Sequence, residues 1–211
     1  KPSGGRGVLI GGVPGVPPAK VVILGGGVSG THAAEMAIGL RADVSIFDIS
    51  ARRLAELDAR FAGTVKTCYS THDAIGEAVA QADLVIGCVL LPGASAPKLV
   101  RRADLSSMRK GAVLVDVAID QGGCFETSHA TTHADPIYEV DGIVHYCVAN
   151  MPGAAPYTST YALNAVTAPY VTMLAERGIE QALAADAGLR AGLNVQHGKI
   201  MHPAVADALS A

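Results

Sequence analysis

Short runs of consecutive apolar residues recur along the chain, and stretches of helical composition separate them. Val21–Leu24 is the first apolar, β-branched run, and Thr31–Leu40 behind it reads as a helix with Ala33, Ala34, Met36 and Ala37. Val44–Phe47 is the second run, ended by Asp48. Ala51–Arg60 then has an amphipathic pattern, Leu54 and Leu57 inward and Arg52, Arg53 and Glu56 outward. Thr64–Cys68 and Asp73–Ala80 repeat the strand–helix pair. Leu84–Leu90 is almost wholly apolar, as a parallel strand covered on both faces should be. Leu105–Met108 reads as a helical turn, and Ala112–Val117 and Ile143–Val148 as further buried strands. This alternation predicts an α/β fold of the Rossmann type, a doubly wound parallel sheet.

From Thr160 onward the pattern turns helical and Ala-rich, with no further strand signal. Tyr161–Arg177 reads as a long helix interrupted near Pro169, and Gln181–Leu193 as another. The expected division is a Rossmann domain over residues 1–156 and a helical segment over 157–211 that belongs to a second, mostly absent domain. Gly4–Pro18, crowded with Gly and Pro, reads as a loop leading into the first strand. The opening Lys1-Pro2-Ser3 reads as an interior point of a longer protein.

Composition narrows the class. Half of the 211 residues are hydrophobic and 17% are charged, the profile of a globular α/β protein rather than a disordered one. A formal charge of −3 without Lys/Arg clusters gives no pull toward nucleic acid or anionic lipid, and no uninterrupted apolar stretch is long enough to span a membrane. Cys68, Cys88, Cys124 and Cys147 form no CxxC pair and read as small buried hydrophobes of a reducing, cytoplasmic setting.

The chemistry begins at Gly25-Gly26-Gly27-Val28-Ser29-Gly30, a GxGxxG pattern between a strand and a helix. Gly25 permits the tight turn, Gly27 lets the backbone approach a pyrophosphate, and Gly30 allows close packing of helix on strand. Val28 and Ser29 open the helix, whose free N–H groups and partial positive charge suit phosphate. Asp48, at the end of the next strand, lies 18 residues past Gly30 (48 − 30). A carboxylate there accepts hydrogen bonds from an adenosine ribose and repels a 2′-phosphate, which favours NAD over NADP. Arg52 and Arg53 could soften that repulsion, but fit equally well as an exposed helix face.

Several passages resemble the family that unites alanine dehydrogenases with the NAD-binding subunit of proton-translocating transhydrogenases. They include Gly4-Gly5-Arg6-Gly7, Gly11-Gly12-Val13-Pro14-Gly15, Val22–Gly27, Ala82–Gly87, Pro92-Gly93-Ala94 and Ala96-Pro97-Lys98-Leu99. Val115–Cys124, Tyr146–Gly153 and Thr158–Leu163 extend the match over nearly the whole chain. Asp120-Gln121-Gly122-Gly123-Cys124 and Asn150-Met151-Pro152 with Thr158-Ser159-Thr160-Tyr161 point to the alanine dehydrogenase branch.

The resemblance implies reversible, NAD-dependent oxidative deamination of L-alanine to pyruvate and ammonia by a homohexamer. It puts the glycine loop on the pyrophosphate, Asp48 on the adenosine ribose, and Arg53 and Ser70 near the adenine. Val89 and Leu90 line the cofactor, Val117, Asp120 and Met151 lie beside the nicotinamide, and Asn150 reaches the substrate. From its residues alone Asp120 is a surface turn acid before two glycines; the resemblance makes it catalytic. Asp116, within its strand, reads as a structural partner of nearby backbone. The family's substrate-holding Arg and Lys and its acid–base His lie outside this sequence. His129 and His133, spaced by four in a Thr- and Pro-flanked loop, read as solvent-exposed rather than as metal ligands. The alternatives are a transhydrogenase subunit and a catalytically silent NAD-binding module.

Overall fold

The computed structural model describes residues 4–89 and 96–210. They form two compact units, residues 4–89 with 96–151, and residues 152–210.

The first unit opens with β1 (Lys20–Leu24), α1 (Val28–Gly39), β2 (Asp43–Asp48), α2 (Ala51–Phe61), β3 (Lys66–Tyr69), α3 (His72–Gln81) and β4 (Leu84–Gly87). It continues with β5 (Val113–Asp116), β6 (Ile137–Val140) and β7 (Ile143–Tyr146), and the seven strands lie in the order β3-β2-β1-β4-β5-β7-β6. All neighbours are parallel except β6 and β7. Strand order reverses at β1, between β2 and β4, the switch point at which open α/β sheets bind ligands.

Period-two alternation makes the sheet two-faced. Val21 and Ile23 join Val44, Ile46, Ala34, Leu57 and Phe61 in one buried cluster. Val22 and Leu24 join Phe47, Ile75, Val79, Leu114, Phe125 and Ile143 in the other. β1, β2 and β4 thus carry apolar residues to both layers, which is why their runs look continuous in sequence. Strand ends differ from those expected by a few residues, and the turn at 105–108 is a 3-10 helix over Arg102–Ser107.

β6 went unforeseen. It is a four-residue edge strand joined to β7 by Asp141-Gly142, both at positive φ (52° and 81°), the two-residue turn that suits the twist of an antiparallel hairpin.

The second unit departs further from expectation. α4 (Pro156–Ala185) starts with proline in its first turn and continues past Pro169. The non-helical residue is Gly178, at φ 74° and ψ 165°, a conformation that a side chain disfavours. Proline costs a helix one N–H but keeps helical φ; the glycine leaves helical φ altogether. Asp186, extended and accepting the Leu189 N–H at 2.7 Å, divides the expected 181–193 helix and starts α5 (Ala187–Ala191). Where no strand was expected, β8 (Val195–Gln196) and β9 (Lys199–Ile200) pair across His197-Gly198, also at positive φ, and α6 (Pro203–Ser210) follows. Strands of two residues carry too little periodicity to be read.

Candidate functional site

The glycine loop leaves β1 at the switch point, and each glycine there meets a different constraint. Gly25 sits at φ 102°, and a Cβ on it would stand 3.0 Å from the Cys88 carbonyl and from Val89 Cγ2. A Cβ on Gly30 would stand 1.9 Å from the Gly25 carbonyl oxygen, so α1 crosses the loop at a distance that only glycine permits. A Cβ on Gly27 would meet no atom within 4 Å. Packing therefore explains Gly25 and Gly30, whereas Gly27 borders open space. Gly27 is also the N-cap of α1, and no side chain caps that end. Exposed Val28 and Ser29 follow it, and among the described residues no side chain takes a first-turn N–H group of α1.

Asp48 closes the loop from the β2 side. Its Oδ2 accepts the Gly26 N–H at 2.8 Å and its Oδ1 the Ser50 N–H at 2.8 Å. An ionised carboxylate has about four acceptor positions, so two remain for a ligand. Arg53 is more than an exposed helix face: its Nε donates to the Gly26 carbonyl at 2.6 Å and its Nη2 to Thr31 Oγ1 at 2.8 Å. Glu56 holds the same guanidinium at 3.0 Å. The clasp ties α2 to the glycine loop, and nothing in the local pattern of α2 announced it.

Ser70, whose N–H donates to the Asp48 carbonyl at 3.0 Å, helps line a cavity of about 350 Å³ with Ile49, Thr71, His72, Ile75, Lys98, Leu99 and Arg101. Another cavity, about 370 Å³, is lined by Lys20, Asp43 and Lys66, the first residues of β1, β2 and β3. Ligands of this fold bind at the opposite, carboxyl ends, so the cavity beside Ser70 is the relevant one. Val89 lies against Gly25, and Val117 donates its N–H to the Gly87 carbonyl at 2.9 Å. Leu90 lies outside the described residues.

After β5 the chain makes a 3-10 turn, Ile119–Gln121, that carries Asp120 exposed on its surface. Among the described residues, no hydrogen bond or ion pair engages the Asp120 carboxylate. Gly122 and Gly123 follow at φ 85° and 77°. Beneath them, fully buried Asp116 accepts the N–H groups of Ala118, Cys124 and Phe125 at 3.2, 2.8 and 3.3 Å, and the Ser128 hydroxyl. This is the backbone partnership expected of it. Burial pushes the Asp116 carboxyl up, and those four donors oppose the shift.

Asn150 and Met151 follow β7, Asn150 at φ 54°, a left-handed conformation that asparagine tolerates. The described contacts do not join Asn150 to Asp120. His129 and His133 are exposed, as expected, yet both are engaged. His133 Nε2 lies 3.0 Å from the Asn150 carbonyl, and His129 stacks on Tyr138 with centroids 3.7 Å apart. His145 is fully buried on β7. Its Nδ1 faces the Ile143 carbonyl at 3.0 Å, an acceptor only, so Nδ1 carries the proton and Nε2 accepts from Thr127 Oγ1 at 2.7 Å. Burial pulls the His145 value down. Cys88, Cys124 and Cys147 are buried free thiols, and burial pushes Cys88 and Cys124 up to about 12. Among the described residues no group of three or more His, Cys, Asp or Glu is placed to hold a metal ion, and no helix is long and apolar enough to cross a membrane.

Comparison with known proteins identifies the family. The family model described as alanine dehydrogenase/PNT, C-terminal domain, matches residues 1–203. The chain is 59% identical over 208 residues to an alanine dehydrogenase of Halomonas elongata, covering 99% of this chain and 56% of that protein. It is 55% identical over 207 residues to the alanine dehydrogenase of Bacillus subtilis, covering 98% and 55%. A solved L-alanine dehydrogenase superposes with a TM-score of 0.89 at 57% identity, over 98% of this chain and 57% of that one. A transhydrogenase from Sinorhizobium meliloti superposes with a TM-score of 0.70 at 31% identity, over 96% and 55%. The chain thus spans about half the length of the relatives it matches. Its sequence over residues 1–203 and its mostly parallel seven-stranded sheet place it in the alanine dehydrogenase/PNT C-terminal domain family.

Proposed function

We propose that this chain is the cofactor-holding part of an NAD-dependent alanine dehydrogenase, which interconverts L-alanine with pyruvate and ammonia. The observation that carries the cofactor reading is the open space at Gly27, where an uncapped helix end meets the Asp48 carboxylate. A pyrophosphate fits such an end because unused N–H groups and the helix dipole both favour an anion. Gly25, Gly27, Val28, Ser29 and Gly30 hold the pyrophosphate, and the two free acceptor positions of Asp48 take the ribose hydroxyls. Arg53 and Ser70 serve the adenine end, and Val89, Val117 and Met151 line the remainder.

NAD, when bound, supplies the hydride acceptor for the alanine Cα. Asp120, free of described partners, takes a proton from the substrate amine and orients the water that completes deamination. Asn150 fixes the substrate. Residues 157–210, helical apart from the β8–β9 pair, pack with the substrate-binding portion of the longer protein. Exposed Tyr157, Tyr161, Leu163, Val166 and Tyr170 on α4 support this role, and half-buried Met173 and Leu174 lie on the same helix. The protein works in the cytoplasm as a homohexamer.

Identities of 59% and 55% to alanine dehydrogenases against 31% to a transhydrogenase favour the deaminating reading. The test is NADH formation by the protein expressed from its whole reading frame. L-alanine should support it, and pyruvate with ammonium should reverse it. Hydride exchange between nucleotides without alanine turnover would select the transhydrogenase reading, and binding without either reaction the silent module.

A further inference from the structure

The turn that carries Asp120 is tied down from inside by one buried carboxylate. Asp116 is fully buried, and among the described residues no Lys or Arg pairs with it. Its Oδ1 accepts the Ala118 N–H just before the turn. Its Oδ2 accepts the N–H groups of Cys124 and Phe125 and the Ser128 hydroxyl just after it. The carboxylate therefore joins the two ends of the excursion 118–123.

Inside the excursion the Gln121 and Gly123 N–H groups both return to the Ala118 carbonyl, at 2.9 and 3.1 Å. A Cβ on Gly123 would stand 2.6 Å from Asp116 Oδ2, so the loop lies directly on the carboxylate. From outside, Lys98 Nζ donates to the Gly122 and Gly123 carbonyls, and the Ala96 N–H to the Gln121 carbonyl at 3.0 Å. Asp120 thus has no described partner of its own, while backbone groups on both sides of it, at Ala118 and Ile119 before it and at Gln121, Gly122 and Gly123 after it, are engaged. Fixing the backbone and freeing the side chain suits a group that must meet a substrate in one place.

We infer that Asp116 is a positioning residue, which acts through Asp120 by anchoring both ends of the turn that presents it. This rests on the reading of Asp120 as the group that handles the proton. Asn at 116 has one oxygen where the carboxylate has two, so at least one of the four donors loses its acceptor and the turn shifts. Misplacement of a reacting group by about 1 Å costs on the order of 100-fold in rate.

The test is a double-mutant cycle in the protein expressed from its whole reading frame, reading both kcat for L-alanine oxidation and Kd for NAD. Asp116→Asn should lower kcat by about 10- to 100-fold and leave Kd within roughly threefold, because the glycine loop and Asp48 are untouched. In an Asp120→Asn background the same change should lower kcat by less than about twofold, since the group it positions is already gone. A merely structural Asp116 would lower kcat by the same factor in both backgrounds. Equal factors, or an unchanged kcat in Asp116→Asn, would overturn the inference and leave the role of Asp120 standing. If Asp120→Asn alone leaves kcat unchanged, both the inference and that role are overturned. Should Asp116→Asn fail to fold, Ser128→Ala removes one of the four donors and enters the same cycle. Its effect should be smaller but equally dependent on Asp120, and equal factors in both backgrounds count against the inference.

Discussion

Gly27 and Gly30 stand three residues apart in one motif, and the structure predicts opposite consequences for the same substitution at each. In Gly30→Ala the new methyl would lie 1.9 Å from the Gly25 carbonyl oxygen, so α1 or the loop must move. Overpacking of this kind costs about 1–3 kcal/mol. For a domain of this size that corresponds to a Tm lower by roughly 2–12 °C. In Gly27→Ala the methyl meets nothing within 4 Å, and φ −66° with ψ −161° is extended backbone open to any residue. Glycine is better than alanine at an N-cap by up to about 1 kcal/mol, so Tm should fall by no more than roughly 4 °C. The same methyl projects into the space assigned to the pyrophosphate. Losing one or two hydrogen bonds to a charged group costs about 1.5–3 kcal/mol, or roughly 10- to 150-fold in Kd. Scanning calorimetry and calorimetric titration with NAD on both variants give the four numbers. Gly27→Ala binding NAD within about threefold of the unmodified protein would refute the assignment of that space, and so would a melt as low as that of Gly30→Ala.

Other consequences are open to measurement. Asp48→Ala should weaken NAD by about 10- to 150-fold, and the unmodified protein should discriminate against NADP; equal titration curves for the two cofactors would contradict the role of Asp48. His145 is neutral in the fold and its value is lowered by burial, so below the ordinary histidine value the unfolded chain takes up a proton that the fold refuses. Stability should therefore fall with pH from roughly 6.5 down to the folded value, by up to about 1.4 kcal/mol per unit, and His145→Gln should flatten that slope in urea titrations. Gly178→Ala places a side chain at φ 74° with open space around it, so its cost is in the backbone, about 1–3 kcal/mol. An unchanged Tm in that variant would show that α4 has no need of the break.

The sheet and the cofactor loop were legible because their signals are local. Val21–Leu24, the glycines and Asp48 each declare themselves within a few residues, and the two-layer core follows from alternation along β1, β2 and β4. What escaped depends on partners distant in sequence or on single dihedrals. Arg53 looks like any exposed helix residue until α2 lies beside Gly26, 27 residues away. His133 acquires its bond to the Asn150 carbonyl only once the 129–136 loop folds beside the end of β7. Pro169 is the louder sequence signal in α4, yet Gly178 takes the non-helical conformation. The β6–β7 hairpin could have been read from Asp141-Gly142. Its strands are so short that the turn is the stronger half of the signal.

In the proposed division of labour, Asp48 and the glycine loop hold NAD and Asp120 handles the proton. Asp120→Asn in the protein expressed from its whole reading frame tests that division most directly, with turnover of L-alanine and Kd for NAD measured on the same preparation. Turnover should fall by about 100- to 10,000-fold, the usual contribution of a group acting on proton transfer, while Kd stays within roughly threefold. Turnover within a few-fold of the unmodified protein, or a loss of NAD binding in step with turnover, would contradict it.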